Sequence, residues 1–452
     1  FEQTRNPFIK YYSHYMEYFE IKGGKKLKGE ISVNGSKNAA VVLLMASLLN
    51  KGKTVLKNVP QIEEVNRLVE VLESVGVKFE SRGSELIIIP PKKVNIAKID
   101  REAAERTRSI IMIIGALAGQ MKNYVIPQAG GCRLGSRTIK PHLFGLENLG
   151  VKIQTKADGF HVNVSKLAAG QKVVLYETGD TVTENVLLAA AQIKGKTTIH
   201  LASANYMVQD LCFFLEKMGV KIKSIGTSTL EVEGNPGFNK TLEYEISEDP
   251  IEAMFFLSLA ATTNSKLTIK RCPIEFLELE LLKLAKMGMK TDISKEYLAK
   301  NGRTKLVDIT THPSSLKALE EKIHPLPSNA GVNIDNLPFF VPVGVVCKGS
   351  TLIHDWVYEN RAIYFTELNK LGADIKLMDP HRVLIEGSSK LKAANVMCPP
   401  ALRPSAIILV AMIAAPGKSL LKGVYAINRG YENLEERLRS IGVDITFYSD
   451  EE

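Results

Sequence analysis

Hydrophobic and polar positions along this chain repeat one short pattern six times. In each copy an amphipathic helical segment ends at a glycine and leads into alternating polar and apolar residues. The copies are LESVGVKF (72–79), LENLGVKI (146–153), LEKMGVKI (215–222), LAKMGMKT (284–291), LNKLGADI (368–375) and LRSIGVDI (438–445). A glycine at the end of a helix predicts a left-handed backbone there, and the alternation predicts a β-hairpin after it.

A second pattern comes before the copies: a helix that is apolar nearly all round, followed by small residues and a strand. Examples are AAVVLLMASLLNKGKTVLKNV, NVLLAAAQIKGKTTIHLA, AMFFLSLAATTNSKLTIKRC and SAIILVAMIAAPGKSLLKGV. Such helices must be buried on most sides, so we expect them to pack on each other inside a shell of sheets. Six similar α/β units divide naturally into two domains of three, with a ligand site in the cleft between them.

Composition narrows the class of protein. At 452 residues, 45% hydrophobic and 24% charged, the chain is typical of a globular protein with two domains. The longest apolar runs, 110–118 and 406–415, are too short to span a bilayer, so no membrane insertion is expected. Five scattered cysteines without a CxxC pair argue against a disulfide framework or a metal site and favour a cytoplasmic location. A net charge of +9 from scattered Lys and Arg favours small anions over nucleic acid as partners.

The stretch QAGGCRLGSR (128–137) is the least ordinary part of the sequence. Cys132 follows two glycines and is flanked by Arg133 and Arg137. Cationic neighbours and exposed backbone amides stabilise a thiolate, which predicts a reactive cysteine. A small buried cysteine beside a turn is the alternative that the local sequence leaves open.

This loop and the repeats together make the chain resemble the enolpyruvyl transferase family. The resemblance runs from about Glu20 to Gly442 and rests on GEISVNGSKNAA, RTRS (106–109), GGCRLGSR, VYENR (357–361) and NRGYENLEERLRSIG, in family order. It implies a two-domain, inside-out α/β barrel of six βαβαββ-like repeats, with the active site in the interdomain cleft. The implied domains are 38–233 and 19–37 plus 234–452, and residues 1–18 are interpreted as an extension.

The same resemblance implies an activity. Enolpyruvate moves from phosphoenolpyruvate to the 3-hydroxyl of UDP-N-acetylglucosamine by addition and elimination, with release of phosphate and without a metal or cofactor. The implied partners are phosphoenolpyruvate and a nucleotide-sugar acceptor. Family members with this acceptor serve peptidoglycan synthesis, and the epoxide fosfomycin alkylates their cysteine.

Motif positions give each candidate residue an implied role. Cys132 is the general acid, Asp335 the candidate base, and Lys37 and Arg429 complete the catalytic set. Further residues are implied to bind substrate: Asn38, Arg108, Arg137, Thr138, Ile139, Lys140, Pro141, Val357, Arg361 and Arg403.

From the residues alone, other interpretations of these positions stay open. Asp335 precedes an apolar run and suits a helix N-cap, and Val357 suits a core strand. A single Lys or Arg, such as Lys37, is commonly a solvated surface residue. Guanidinium groups bind phosphate and carboxylate in a bidentate manner, which favours the binding roles for the arginines.

Departures from the family pattern lie mainly at the acceptor end. Lys140 stands where an Asp recognises uracil, Gly179 to Thr181 replace a Ser-Val-Gly segment, and Ala401 and Asn428 each replace an Asp. Lysine cannot accept the hydrogen bonds that a carboxylate accepts. Three interpretations therefore remain: UDP-N-acetylglucosamine as acceptor, a different nucleotide or sugar acceptor, or a catalytically weak paralogue that binds a nucleotide or a partner protein.

Overall fold

The computed structural model describes residues 17–128, 138–325 and 332–449, which form a mixed α/β fold. The strands are β1 Tyr18–Gly23, β2 Lys28–Ser32, β3 Thr54–Lys57, β4 Lys78–Arg82, β5 Glu85–Ile89, β6 Asn123–Ile126, β7 Val151–Lys156, β8 Gly159–Val164, β9 Lys172–Val174, β10 Gly195–His200, β11 Lys221–Lys223, β12 Thr229–Gly234, β13 Leu242–Glu245, β14 Lys266–Pro273, β15 Lys290–Ile293, β16 Tyr297–Leu298, β17 Lys305–His312, β18 Ser350–His354, β19 Asp374–Asp379, β20 Arg382–Glu386, β21 Asn395–Met397, β22 Gly417–Lys422 and β23 Asp444–Tyr448.

Helices alternate with these strands along the whole sequence. The α-helices are α1 Lys37–Ser47, α2 Glu63–Ser74, α3 Arg101–Glu105, α4 Ile113–Leu117, α5 Lys140–Glu147, α6 Asp180–Ala190, α7 Tyr206–Met218, α8 Pro250–Thr262, α9 Glu278–Lys286, α10 Phe340–Val346, α11 Leu402–Ala414, α12 Tyr425–Asn428 and α13 Leu434–Ser440. Short 3-10 helices cover Ile96–Lys98, Arg108–Met112, Ile274–Phe276, Leu337–Phe339 and Ala362–Leu371. No helix in the described part of the chain combines the length and the apolar character needed to cross a bilayer.

The glycine at the end of each repeated pattern adopts the predicted left-handed conformation. All six have φ between 88° and 110°: Gly76, Gly150, Gly219, Gly288, Gly372 and Gly442. A side chain at such a φ is strained, so glycine ends the helix and lets the chain turn into the next strand. The prediction from the sequence pattern is confirmed at every copy.

Five of the six predicted hairpins form. The antiparallel pairs are β4 with β5, β7 with β8, β11 with β12, β15 with β17, and β19 with β20. The sixth prediction is wrong within the described residues, because β23 pairs with β1 at the other end of the sequence. A distant strand therefore takes the place that a local hairpin partner has in the other copies.

The apolar helices form the interior, as their sequences predicted. All residues of α8 are buried, and α1, α6 and α11 are buried along most of their length. Each of these four helices leads into a strand: β3, β10, β14 and β22 follow them. α1 and α6 both contact α7, and α8 contacts α11, so these buried helices pack on other helices.

Strand pairing connects distant parts of the chain. Within the described residues the strands form six sheets, ordered β21-β22-β1-β23, β11-β12-β10-β9, β13-β3-β5-β4, β15-β17-β14-β2 with β16 on β17, β18-β20-β19, and β6-β8-β7. β2 runs parallel to β14, and β13 runs parallel to β3. The pairing of β13 joins Leu242–Glu245 to the sheet of residues 54–89. The boundary expected between residues 233 and 234 stays a prediction.

Candidate functional site

One large cleft brings together side chains from distant parts of the sequence. Its volume is about 970 Å³, and most of the predicted site residues line it: Lys37, Asn38, Arg108, Thr138, Asp335, Val357, Arg361, Arg403 and Arg429. The structure does not bring Ile139, Lys140 and Pro141 to this lining, because they form the start of α5. Cys132 and Arg137 lie outside the described residues.

Lys37 and Asn38 are the first two residues of α1. Ser36 caps the helix, its Oγ accepting the N–H of Ala39 at 3.1 Å. Gly35 is required before this cap, because a Cβ there would lie 1.8 Å from the backbone oxygen of Asn58, the residue after β3. Asn38 Nδ2 donates to the hydroxyl of Tyr206 at 3.0 Å. The cap and this bond hold both side chains at the edge of the cleft.

Asp335 lies beside two arginines. Its Oδ2 is 3.5 Å from Arg403 Nη2, and its Oδ1 is 4.0 Å from Arg361 Nη1. The N-cap interpretation is wrong, because the following 3-10 helix begins after Asn336 and has no side-chain cap. The carboxylate is 25% exposed and lines the cleft, where a substrate can reach it.

Arg403 is held by several neighbours at once. Its Nη1 donates to the hydroxyl of Tyr431 at 3.1 Å. Burial acts to lower the pKa of Arg403, but Tyr431, Asp335 and Asp249 outweigh it and the pKa is raised. The guanidinium therefore keeps its charge in a buried position, which suits the binding of an anion.

Arg361 and Val357, the last and first residues of the VYENR segment, differ in burial. Arg361 is only 1% exposed, because its guanidinium pairs with buried Asp355, donates to the carbonyl of Ile334 at 2.8 Å and lies over the ring of Tyr358. Arg361 thus supports the cleft from behind. Val357 is 42% exposed at the cleft, so the alternative of a core strand residue is wrong.

Arg429 faces a carboxylate that the sequence reading missed. Its Nε lies 3.6 Å from Glu64 Oε2 and has no hydrogen-bond partner among the residues described. Glu64 accepts from Thr107 Oγ1 at 2.9 Å. Burial acts to raise the pKa of Glu64, but Lys37 and Arg429 outweigh it and the pKa is lowered. The sequence does contain a signal for Glu64: it is an acidic residue at helical spacing from Leu68 and Leu72, on the buried face of α2.

His142 is a second side chain that the sequence reading missed. It is buried, and Asn185 Nδ2 contacts its Nδ1 at 3.1 Å. Burial, and then the charge of Arg108, lower the pKa of His142 to about 4. The ring is therefore neutral at neutral pH and does not compete with Arg108 for anions.

The positions that depart from the family pattern have clear surroundings. Asp180 lines the cleft and accepts from Ser203 Oγ at 2.6 Å and from Asn205 Nδ2 at 3.2 Å. Ala401 is buried at the start of α11 and provides no side-chain cap. Asn428 is the last residue of α12, directly before Arg429. Asp180 thus places a carboxylate in the cleft, whereas Ala401, two residues before Arg403, carries none.

These groups together can bind a small polyanion and take up a proton beside it. Lys37, Arg403 and Arg429 contribute positive charge from three distant parts of the sequence. Guanidinium groups bind phosphate and carboxylate oxygens in a bidentate manner, while a lysine acts as a point charge. Asp335 provides a carboxylate next to these cations.

Known proteins of similar sequence match nearly the whole chain. The profile of EPSP synthase (3-phosphoshikimate 1-carboxyvinyltransferase) matches residues 21–438. A protein of Campylobacter jejuni named UDP-N-acetylglucosamine 1-carboxyvinyltransferase is 34% identical over 434 residues, covering 95% of this chain and 99% of that protein. Its namesake from Wolinella succinogenes is 32% identical over 433 residues, with the same coverage of 95% and 99%.

Solved structures share the fold. The enolpyruvyl transferase NikO from Streptomyces tendae superposes with a TM-score of 0.82 at 22% identity, covering 96% of this chain and 99% of that one. EPSP synthase from Acinetobacter baumannii superposes with a TM-score of 0.74 at 19% identity, covering 96% and 100%. At these identities the likeness concerns the fold.

Proposed function

This chain belongs to the EPSP synthase family of enolpyruvyl transferases, and on that premise we propose that it transfers enolpyruvate from phosphoenolpyruvate to the 3-hydroxyl of UDP-N-acetylglucosamine. The names of the relatives that match 95% of the chain support this acceptor. The observation that carries the proposal is the convergence of Lys37, Arg403 and Arg429 with Asp335 in one cleft. Phosphoenolpyruvate carries a phosphate and a carboxylate, which this set of charges suits.

The proposed reaction proceeds by addition and elimination. Asp335 takes the proton of the acceptor hydroxyl, whose oxygen attacks C2 of phosphoenolpyruvate while Cys132 delivers a proton to C3. In the second step C3 loses a proton, the bond between C2 and the phosphate oxygen breaks, and phosphate leaves. Lys37, Arg403 and Arg429 hold the phosphate and carboxylate while charge moves between them.

The proposal extends to architecture and setting. The fold is a two-domain, inside-out α/β barrel of six βαβαββ-like repeats, and the substrates bind between the domains. The six sheets of the described residues and the buried apolar helices support this arrangement. The enzyme acts without a metal or cofactor in the cytoplasm, and its product enters peptidoglycan synthesis.

Phosphate release tests this function directly. The purified protein is incubated with phosphoenolpyruvate and UDP-N-acetylglucosamine, and the released phosphate is measured. Three control reactions contain no acceptor, UDP-glucose as acceptor, or shikimate 3-phosphate as acceptor. We expect that, of these four reactions, only the one with UDP-N-acetylglucosamine releases phosphate. Release only with another acceptor would replace the proposed substrate, and none with any acceptor would indicate a catalytically inactive paralogue.

Cys132 is tested by alkylation. We expect fosfomycin to add one equivalent of mass to the protein and Cys132→Ser to abolish both the adduct and phosphate release, because the thiolate is the nucleophile. Cys398→Ser, at a partly buried cysteine remote in sequence, is the matched control and should keep both. An adduct that persists in Cys132→Ser would show that the assignment of the general acid is wrong.

A further inference from the structure

Besides the arginines, the cleft is lined by a group of acidic side chains, here called the acidic wall: Glu177, Asp180, Glu184, Glu275, Glu278 and Glu280. Hydrogen bonds connect its two halves. Asn205 donates to Asp180 at 3.2 Å and accepts from Asn333 at 3.0 Å. The backbone N–H of Asn333 donates in turn to Glu280 at 2.9 Å. The wall is therefore continuous from the start of α6 to α9.

One carboxyl group of the acidic wall has an unused hydrogen-bonding atom. Asp180 is satisfied by Ser203 and Asn205, and Glu280 accepts from Asn336 Nδ2 at 2.9 Å. Glu184 is only 2% exposed, yet its buried Oε1 has no hydrogen-bond partner in the parts of the chain that the structure describes. Because buried polar atoms are nearly always paired, this oxygen at the cleft is suited to a ligand group.

The surrounding charge selects the kind of group. Burial raises the pKa of Glu184 well above its ordinary value, and the charge of Asp180 raises it further. The raised pKa favours the protonated form of Glu184, and a protonated carboxyl group can both donate and accept a hydrogen bond. Burial also raises the pKa of Asp180, and Asp335 adds to this effect, so the wall lies within electrostatic range of Asp335. The wall holds no cation to bind a phosphate, and its ionised carboxylates repel one, whereas a hydroxyl or an amide carries no charge and is not repelled.

We propose that Glu184 is a specificity-determining residue that binds a hydroxyl or amide group on the sugar of the acceptor. This inference rests on the proposed function, in which the reacting hydroxyl of the sugar lies at Asp335. A sugar that extends from Asp335 to Glu184 lies along the acidic wall. Its phosphates are then left to cationic side chains such as Arg108.

Binding to the intact protein tests the inference. Trp356, the one tryptophan of the chain, lines the cleft and reports binding by its fluorescence, with calorimetry as a second readout. We expect Glu184→Met, which keeps the shape but loses the hydrogen bonds, to raise the Kd of UDP-N-acetylglucosamine about tenfold. Glu184→Gln should stay within about threefold of the unaltered protein, because an amide still donates and accepts. The Kd of UDP, which lacks the sugar, should not change.

Glu70→Met, at an exposed position of α2, is the matched control and should bind both ligands normally. Equal binding of UDP-N-acetylglucosamine by Glu184→Met and the unaltered protein would show the inference wrong and leave the proposed function intact. An equal loss of UDP binding would also overturn it, since the contact is then not to the sugar. If the unaltered protein binds no UDP-N-acetylglucosamine, the proposed acceptor is wrong and the inference falls with it. Glu184→Ala repeats the comparison if Glu184→Met does not fold.

Discussion

Two buried ionisable side chains near the cleft keep one charge state near neutral pH, Glu64 because of neighbouring charges and His142 mainly because of burial. Glu64 stays charged because Lys37 and Arg429 outweigh its burial. His142 stays neutral because burial and the charge of Arg108 act in the same direction. Neither group changes its charge near neutral pH, so both act as constant partners of the arginines that line the cleft.

The neutral state of His142 predicts how stability depends on pH. In the folded protein its pKa is about 4, whereas an unfolded histidine titrates near 6.5. Between these values the unfolded chain binds more protons, so the free energy of unfolding falls as the pH falls. The contribution of His142 to this loss is about 3 kcal/mol across the window. Urea unfolding of His142→Gln at pH 7 and pH 4.5 should show a smaller loss than the unaltered protein.

His161→Gln is the control for this measurement. His161 is partly exposed and pairs with Asp158 at the surface, so its removal should leave most of the acid-induced loss in place. Equal losses in His142→Gln and the unaltered protein would mean that His142 does not resist protonation in the folded state.

The N-terminus of α1 contributes both to stability and to the candidate site, because its cap is followed directly by two residues that line the cleft. Ser36 is fully buried and its Oγ caps the helix whose first two residues are Lys37 and Asn38. Substituting an N-cap serine by alanine costs about 1 kcal/mol. Ser36→Ala should therefore lower the free energy of unfolding by about this amount and raise the KM for phosphoenolpyruvate, as measured by urea unfolding and phosphate release.

Ser32→Ala is matched to it, at an exposed position of β2 a few residues earlier. Its effect on the free energy of unfolding should stay within about 0.5 kcal/mol. A KM for phosphoenolpyruvate that does not rise in Ser36→Ala would show that the cap does not position Lys37 and Asn38.

Local elements of this fold follow from the sequence because their causes are local. The left-handed glycines and five hairpins depend on residues a few positions apart, and the buried helices on their own composition. The hairpin predicted after Gly442 fails because β23 takes its partner from the other end of the chain. The pairing of β13 with β3 likewise depends on contacts between distant residues, which local alternation does not contain.

The residues of the candidate site likewise divide into those that local motifs predict and those that depend on distant neighbours. Motif positions predicted Lys37, Asp335 and several arginines, and the structure brings Lys37, Asp335, Arg108, Arg361, Arg403 and Arg429 to one cleft. Glu64, His142 and Glu184 were missed because their properties come from burial and from neighbours far away in sequence. A charge pattern along the chain shows none of this.

The first and last described strands hold the molecule together. β1 lies between β22 and β23, and the rings of Tyr18 and Tyr448 stack with centroids 5.0 Å apart. Phe19 and Ile21 on β1 are buried. Because β1 contributes both backbone pairing and core side chains, the C-terminal sheet depends on residues from the start of the chain.

Ile21→Ala measures this dependence. Truncation of a buried isoleucine costs about 2–5 kcal/mol, and here the loss should appear in the sheet of β22 and β23. We expect faster hydrogen exchange of the backbone amides of these two strands and a lower urea midpoint. Ile293→Ala, at a half-exposed position of β15, should change neither. Unchanged exchange in β22 and β23 would show that β1 adds little to that sheet.

The position of β1 also sets an order of events during synthesis on the ribosome. β1 is translated before β22 and β23, and most of the described chain separates it from these two neighbours. Until β22 and β23 are made, β1 lacks both of the strands with which it pairs, and the sheet that carries the buried Phe19 and Ile21 is incomplete. Closure of this sheet therefore waits for β22 and β23 and joins segments that lie far apart in the sequence.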